Sequence, residues 1–433
     1  MKDFLKQLVV AVLSFEARMA LLRHKPQIVL VGGNLGKTST KDAIFAALDS
    51  PDKRVRKSNK SFNSEIGLPL TVLGLPNAWS NPLVWVINLL KGILVLFSHE
   101  YPELLVLELG ADKPGDIERV AKWLKVDVLV LVALPDTPVH VENFKDTDEL
   151  FKEKAKLLDM LKKDSVIVYD ADSRNWDKYL SDIDNKKLSF GANKETRYRL
   201  LKVQAECKDG QAMRVRAEVS INSDKIQFVL RKNLGAQQVK PRLAALAVSD
   251  NFSVPREAAI ARLDNMERVK GRMSLLQGVD NSMLLDDSYN ASPSACIAAL
   301  DTLESFTCIS GKKIAVLGDM AELGKISTKA HTEVLSKALM CADYVFTLGP
   351  NFKEVSSQIF LADPNTQSKL FNFTQNEHKN LVEKLRQKIQ NGDLILVKGS
   401  QSMRMEKVLV EILKDKQKAR ELLVRQGKQW QSR

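Results

Sequence analysis

From residue 27 onward, short apolar runs rich in β-branched residues alternate with stretches of helical period. The run 28–32 (IVLVG) leads into a helix over 38–48. The runs 104–110, 126–132 and 165–170 follow, each separated by helical segments. Continuous apolar strands alternating with helices predict a parallel sheet covered on both faces. Between about 197 and 231 the period changes to strict polar/apolar alternation, with Asp209-Gly210 and Asn222-Ser223 as turn signals. This predicts an antiparallel β appendage. Helices are expected over 242–249 and 255–264. A fresh α/β alternation then places strands at 283–287, 313–318, 344–349 and 394–399. The expected division is an N-terminal amphipathic helix (1–26), a first α/β domain with its appendage (27–266), and a second α/β domain (267–433).

Two segments stand outside this pattern. Residues 1–23 are apolar but carry Asp3, Lys6, Glu16 and Arg18, and no small-residue cleavage site follows. They read as an amphipathic helix rather than a signal peptide. Residues 82–97 (PLVWVINLLKGILVLF) are strongly apolar, shorter than the ~20 residues a spanning helix needs, and contain Lys91. They form either a buried or partner-covered helix, or a helix lying in the cytoplasmic face of a membrane. The basic tail from Lys414 onward, with Asp415 and Glu421 as its acids, is either an aid to that contact or a solvated helix face.

Composition narrows the picture. A chain of 433 residues, 44% apolar and 27% charged, is long enough for two or three soluble domains. The net charge of +12 fits nucleic acid, anionic lipid or an anionic substrate. No nucleic-acid-binding signature accompanies it, so nucleic acid is not an expected partner. Cys207, Cys296, Cys308 and Cys341 lack CxxC or His partners at zinc spacing, and are expected to be reduced, packed thiols of a cytoplasmic protein.

The clearest chemistry follows the first strand. Gly33-Asn34-Leu35-Gly36-Lys37-Thr38-Ser39 fits the short phosphate-loop form GxxGK[ST]; the longer form would need Gly at position 31, where the chain has Val31. Glycines let backbone N–H groups turn around phosphate oxygens, and the helix N-terminus adds partial positive charge. Lys37 can reach the outer phosphates and Thr38 can ligate Mg²⁺. The expected ligand is ATP. The fold expected is therefore α/β: a P-loop parallel-sheet ATPase domain with an antiparallel β appendage, plus a C-terminal Rossmann-like α/β domain.

Seven segments in order carry a family resemblance: GNLGKTSTK (33–41), SFNSEIGLPLT (61–71), LELGADKPGDI (107–117), HVENF (140–144), DDSYNASP (286–293), GDMAELG (318–324) and VKGSQSMRMEKV (397–408). Together they resemble the Mur ligases, over about residues 27–410. The resemblance implies an ADP-forming ligase that activates a carboxylate as an acyl phosphate and joins it to an amine. The branch most similar adds D-Ala-D-Ala to UDP-N-acetylmuramoyl-tripeptide in peptidoglycan synthesis. It implies ATP and two Mg²⁺ ions, an anionic carboxylate substrate and an amino-acid or dipeptide amine. The enzyme is expected to be a cytoplasmic monomer, with peripheral contact at the inner membrane face through 82–97.

The resemblance also assigns residues. Gly33, Gly36, Lys37, Thr38, Ser39 and Asn63 would hold the nucleotide, with Glu65 beside them and Ser64 where an asparagine is common. Thr38, Glu108, His140 and Lys154 would serve the metals. Glu108 ends a strand, where open α/β sheets place ligand contacts. Lys154, ten residues after Phe144, would carry a carbamate (N6-carboxylysine), which requires a neutral amine first. Asp287 and Asn290 would close over the ribose and base, and Arg272 and Lys398 would approach the phosphates. For Asp287 and Lys398 a strand-end salt bridge is the alternative. His331 would lie near the second substrate.

The front of the chain departs from the family pattern. The residues before Gln27 are too few for the domain with which these ligases usually grip the UDP-sugar. Two alternatives therefore stay open: a related ligase of folylpolyglutamate type or one with a lipid-linked donor, and a non-catalytic ATP-binding scaffold.

Overall fold

Strand β1 (Gln27–Gly32) is an interior strand of the first sheet, and its residues 28–32 are buried on both faces. The computed structural model describes residues 2–51, 53–58, 62, 64–78, 81–136, 141–362, 364–427 and 430. Helix α1 (Lys2–His24) precedes β1, and α2 (Lys37–Leu48) follows it. Next come β2 (Val55–Lys57), α3 (Gly67–Leu73), α4 (Pro82–Val95) and β3 (Leu104–Glu108). Helix α5 (Asp116–Ala121), β4 (Val126–Leu131), α6 (Thr147–Ala155), β5 (Leu161–Asp170), α7 (Asp177–Leu180) and β6 (Lys186–Gly191) complete the parallel part. Strands β7 (Tyr198–Lys208), β8 (Gln211–Ile221) and β9 (Asp224–Leu230) extend the sheet, whose order is β2-β3-β1-β4-β5-β6-β7-β8-β9. The two-residue connections at Asp209-Gly210 and Asn222-Ser223, all four residues at positive φ, make the last three strands an antiparallel meander.

Helices α8 (Val239–Asn251) and α9 (Arg256–Asp264) lead to a second sheet. It is built from β10 (Ser274–Gln277), β11 (Met283–Asp287), α10 (Pro293–Ser305), β12 (Lys313–Gly318), α11 (Ser327–Cys341) and β13 (Tyr344–Leu348). It continues through α12 (Pro350–Ala362), β14 (Leu370–Phe373), α13 (His378–Arg386), β15 (Leu394–Lys398), α14 (Glu406–Ile412) and α15 (Ala419–Leu422). The order is β10-β11-β15-β12-β13-β14, parallel except for β10. The chain forms two compact units, one of residues 1–200, 219–226 and 240–266, the other of 201–218, 227–239 and 267–433. The ribbon residues 201–218 and 227–239 thus group with the second unit. Both sheets have the expected α/β character.

The cysteine expectation is corrected. Cys207 and Cys308 form a disulfide, while Cys296 and Cys341 are free and buried. The cause is tertiary: the turn at Gly210 and the turn after α10 meet, with Ser310 N donating to Gly210 O at 2.7 Å. Spacing along the chain carries no trace of that meeting. The basic tail is also more than a solvated face. Ala419 and Leu423 are buried, and Arg425 bonds Glu406 and the carbonyls of Ser288 and Tyr289.

The N-terminal helix is part of the first unit's core: Leu13, Ala17 and Ala20 are fully buried with Leu68, Leu70 and Val72 of α3. Asn81 caps α4 by accepting from Leu83 N and Val84 N, and Pro82 opens the helix. His24 stacks on Tyr101 and pairs its Nε2 with Val95 O at 2.9 Å, fastening the end of α1 to α4. The two helices also meet at Gly92, where an added Cβ would overlap Glu16 Oε2.

Glu16 is buried there, and its Oε2 has no hydrogen-bond partner among the described residues. Burial pushes its carboxyl from 4.5 up to about 7. An acid raised in the folded state costs nothing while protonated, and destabilises progressively as pH climbs from 4.5 through about 7. Glu16→Gln is therefore expected to exceed the parent in denaturant stability by roughly 1–3 kcal/mol at about pH 8, and to match it near about pH 4. An equal gap at both pH values would show that the carboxyl ionises freely in the folded protein.

Candidate active site

The loop between β1 and α2 is shaped by two glycines. Gly33 has φ +131°, and a Cβ there would lie 2.8 Å from Val132 O. Gly36 has φ +86° and stands at the N-cap of α2 without any side-chain cap. The first turn of α2 contains no acidic residue. The helix thus begins at an open glycine with neither a side-chain cap at Gly36 nor an acidic residue to offset the positive end of its dipole, the arrangement that binds phosphate oxygens. Lys37 curls over this loop, donating to Asn34 O at 3.0 Å and Gly33 O at 3.4 Å. Ser39 and Thr40 are buried in the same turn.

Parallel pairing sets Glu108, the last residue of β3, beside Val31 of β1. Thr38 Oγ1 donates to Glu108 Oε1 at 3.1 Å. The other carboxylate oxygen is buried with no hydrogen-bond partner among the described residues, and Lys41 Nζ lies 3.8 Å from it. A hydroxyl and a carboxylate side by side, with one carboxylate oxygen outside any hydrogen bond, suit a hard cation such as Mg²⁺. Among the described residues no group of three His, Cys, Asp or Glu side chains could hold a metal by itself.

Lys154, on the last turn of α6, is fully buried. Burial lowers its amine to about 7, and the nearby Lys37 ammonium pushes the same way, against the opposing pull of Asp112, Glu153 and Asp116. The neighbouring Glu153 does not neutralise it directly, because its carboxylate accepts from Ile117 N at 2.9 Å and pairs with Lys156 at 2.9 Å. The result is an amine that is substantially uncharged near neutral pH and stands within electrostatic reach of the phosphate loop.

The second unit gathers another cluster. Asp287 ends β11 and Lys398 ends β15, and the register pairs them directly. Lys398 Nζ sits 2.6 Å from Asp287 Oδ2 and donates to Asn290 O at 3.0 Å. The other Asp287 oxygen accepts from Met273 N, next to Arg272, whose guanidinium lies 4.1 Å over the Tyr289 ring. Asp286 is fully buried, pushed up to about 6, and held by Ser288 and Gly271 N.

Two family models match. The "Mur ligase middle domain" covers residues 31–249, and "Mur ligase, glutamate ligase domain" covers 271–401. The chain belongs to the Mur ligase family. Similar relatives include the UDP-N-acetylmuramoyl-tripeptide–D-alanyl-D-alanine ligases of Bacillus subtilis (28% identical, covering 89% of this chain and 76% of the relative) and Escherichia coli (26%, 88% and 76%). Among solved structures, the MurF ligase of Thermotoga maritima in complex with ADP aligns with TM-score 0.76, 24% identity, and coverage of 95% of this chain and 84% of that one.

Within this Mur ligase, Gly33, Gly36, Lys37, Thr38, Ser39, Glu108 and Lys154 gather around the N-terminus of α2 in the first unit. Arg272, Asp287, Asn290 and Lys398 gather in the second. The strand-end salt bridge considered for Asp287 and Lys398 is present. Asn63 and His140 lie outside the described residues. Glu65 is tied to Arg119 of α5 at 3.0 Å. His331 is buried, with Nε2 accepting from Met320 N and Nδ1 paired with Ser327 O, so it braces the 319–327 turn with both nitrogens engaged.

Sequence reasoning missed Lys41 and Arg425. Lys41 is buried and donates to Ser58 O at 3.0 Å, facing Glu108. Its signal was its position three residues after Thr38, which puts it on the same helix face. Arg425 holds the Ser288 and Tyr289 carbonyls from across more than a hundred residues of chain, with no local signal.

Proposed function

We propose that this chain is the ADP-forming ligase that joins D-Ala-D-Ala to the terminal carboxylate of UDP-N-acetylmuramoyl-tripeptide. The observation that carries the reading is the uncapped head of α2, with Lys37 over it, Thr38 bonded to Glu108, and the buried Lys154 amine alongside. Residues 27–266 and 267–433 are its working domains, preceded by the helix of 1–26.

Gly33, Gly36, Thr38 and Ser39 hold the nucleotide phosphates, with Asn63 assigned to the same task. Lys37 balances charge on the transferring phosphoryl group as a substrate carboxylate oxygen attacks it and ADP leaves. The amine nitrogen then attacks the acyl carbon, and phosphate departs with the former carboxylate oxygen. Thr38, Glu108 and His140 are the assigned metal-binding groups, and Mg²⁺ bound there would supply electrophilic stabilisation of phosphate charge. Lys154, once carbamylated, adds an anionic ligand to that set. Arg272, Asp287, Asn290 and Lys398 are assigned to ribose, base and acyl phosphate. No protein nucleophile is needed, because positioning and charge stabilisation carry both steps.

The enzyme is proposed to act as a monomer, with residues 82–97 in peripheral contact with the inner face of a membrane. The outward apolar face of α4 also favours a second reading, a related ligase whose carboxylate donor is lipid-linked. A substrate panel for ADP release separates the possibilities. Release requiring both UDP-N-acetylmuramoyl-tripeptide and D-Ala-D-Ala is the expected result. Release with a different acid alone would favour the second reading, and ATP binding without ADP in any mixture would mark a scaffold.

A further inference from the structure

Helices α1 and α4 leave apolar side chains on the outside of the first unit at helical spacing. On α4 these are Leu83, Ile87, Leu90, Leu94 and, just past its end, Phe97, from 47% to 75% exposed. On α1 they are Leu8, Phe15, Met19 and Leu22, with Phe15 at 64%. Each set follows the i, i+3/i+4, i+7 rule and so lies along one face of its helix. Because the helices are packed together at Glu16 and Gly92 and at His24 and Val95, the two stripes belong to one rigid pair. A soluble chain rarely leaves so many large apolar side chains of two packed helices to water unless something covers them.

The charges say what covers it. Among the described side chains of the two helices, the exposed charged ones are Arg18, Arg23 and Lys91, all cations. The one carboxylate among them, Glu16, is turned inward and buried. An apolar face fringed by cations matches the acyl boundary and headgroups of an anionic bilayer. A second copy of the chain would instead set the same cations against one another across a two-fold axis.

Such a pair would lie on a bilayer rather than cross it. No helix among the described residues is long and apolar enough to span. At ~1.5 Å per residue α4 rises only about 21 Å against a core of about 30 Å. Helix α1 is longer, but its Leu13, Ala17 and Ala20 are locked in the protein core.

We propose that α1 and α4 together form a docking face for an anionic lipid surface. This rests on the proposed peripheral contact of 82–97 and adds α1 as an equal partner in it. The test is flotation of the full chain with vesicles of phosphatidylcholine alone, or of phosphatidylcholine mixed with phosphatidylglycerol. The parent protein should float with the mixed vesicles, more weakly as salt rises, and poorly with the neutral ones. Leu90→Glu on α4 and Phe15→Glu on α1 should each weaken binding about 10-fold or more, with circular dichroism and melting unchanged. Arg18→Glu combined with Arg23→Glu should remove the preference for the mixed vesicles.

Loss with Leu90→Glu but not with Phe15→Glu would overturn the two-helix face while leaving the 82–97 contact standing. No flotation of the parent protein would overturn both. A concentration-dependent dimer abolished by the same substitutions, without vesicle binding, would assign the face to a second copy and also overturn the proposal.

Discussion

Lys37→Ala is expected to abolish ADP formation, a loss of roughly 10²–10³-fold or more in turnover, with an unchanged circular dichroism spectrum and melting temperature. Lys37 donates to the carbonyls of Gly33 and Asn34, within its own loop, so these bonds are local ones. What is lost is the flexible cation above the head of α2, where the charge of the transferring phosphoryl group would concentrate. The backbone N–H groups remain, so nucleotide binding should weaken less than turnover does. Turnover retained within a few-fold would contradict the assignment of this loop to phosphate transfer.

Lys154→Ala is expected to be about as inactive, for a different reason. With its amine lowered to about 7 by burial and by Lys37, roughly half of Lys154 is neutral at about pH 7. The neutral nitrogen lone pair can attack carbon dioxide, releasing one proton and leaving a carbamate. One pH unit below 7, about a tenth of the amine is available, so activity should fall on the acid side when carbon dioxide is limiting, and at every pH once it is stripped out. Added bicarbonate should restore it. The Ala variant should ignore bicarbonate but recover partly with short carboxylates that fit the vacated space. Full activity in that variant, or rescue by amines rather than carboxylates, would show that an anion at this position plays no part.

Strands whose apolar runs were continuous were readable from the chain, and β11, β12 and β15 fall where the pattern put them. The antiparallel ribbon was readable from its two turn dipeptides. Strand β2 has three residues and half-buried side chains, and β6 begins with two exposed lysines, so neither stood out from loop. The phosphate loop was legible because a backbone shape demands glycines at fixed spacing. The Thr38 to Glu108 bond was not, since it depends on the register of β1 against β3. The salt bridge between Asp287 and Lys398 and the disulfide between Cys207 and Cys308 are likewise products of distant segments meeting. The segment 82–97 was legible as a helix. Which of its faces was covered depended on α1, whose buried Leu13, Ala17 and Ala20 take one side of the core and leave another side apolar to the outside.

The central claim is that a substrate carboxylate passes through an acyl phosphate at this site. It is tested most directly with UDP-N-acetylmuramoyl-tripeptide labelled with oxygen-18 in its terminal carboxylate, ATP, Mg²⁺ and D-Ala-D-Ala. If the carboxylate oxygen attacks phosphorus and leaves when the amine attacks carbon, the released phosphate carries one labelled oxygen per peptide bond formed. Unlabelled phosphate accompanying the same product would contradict the account.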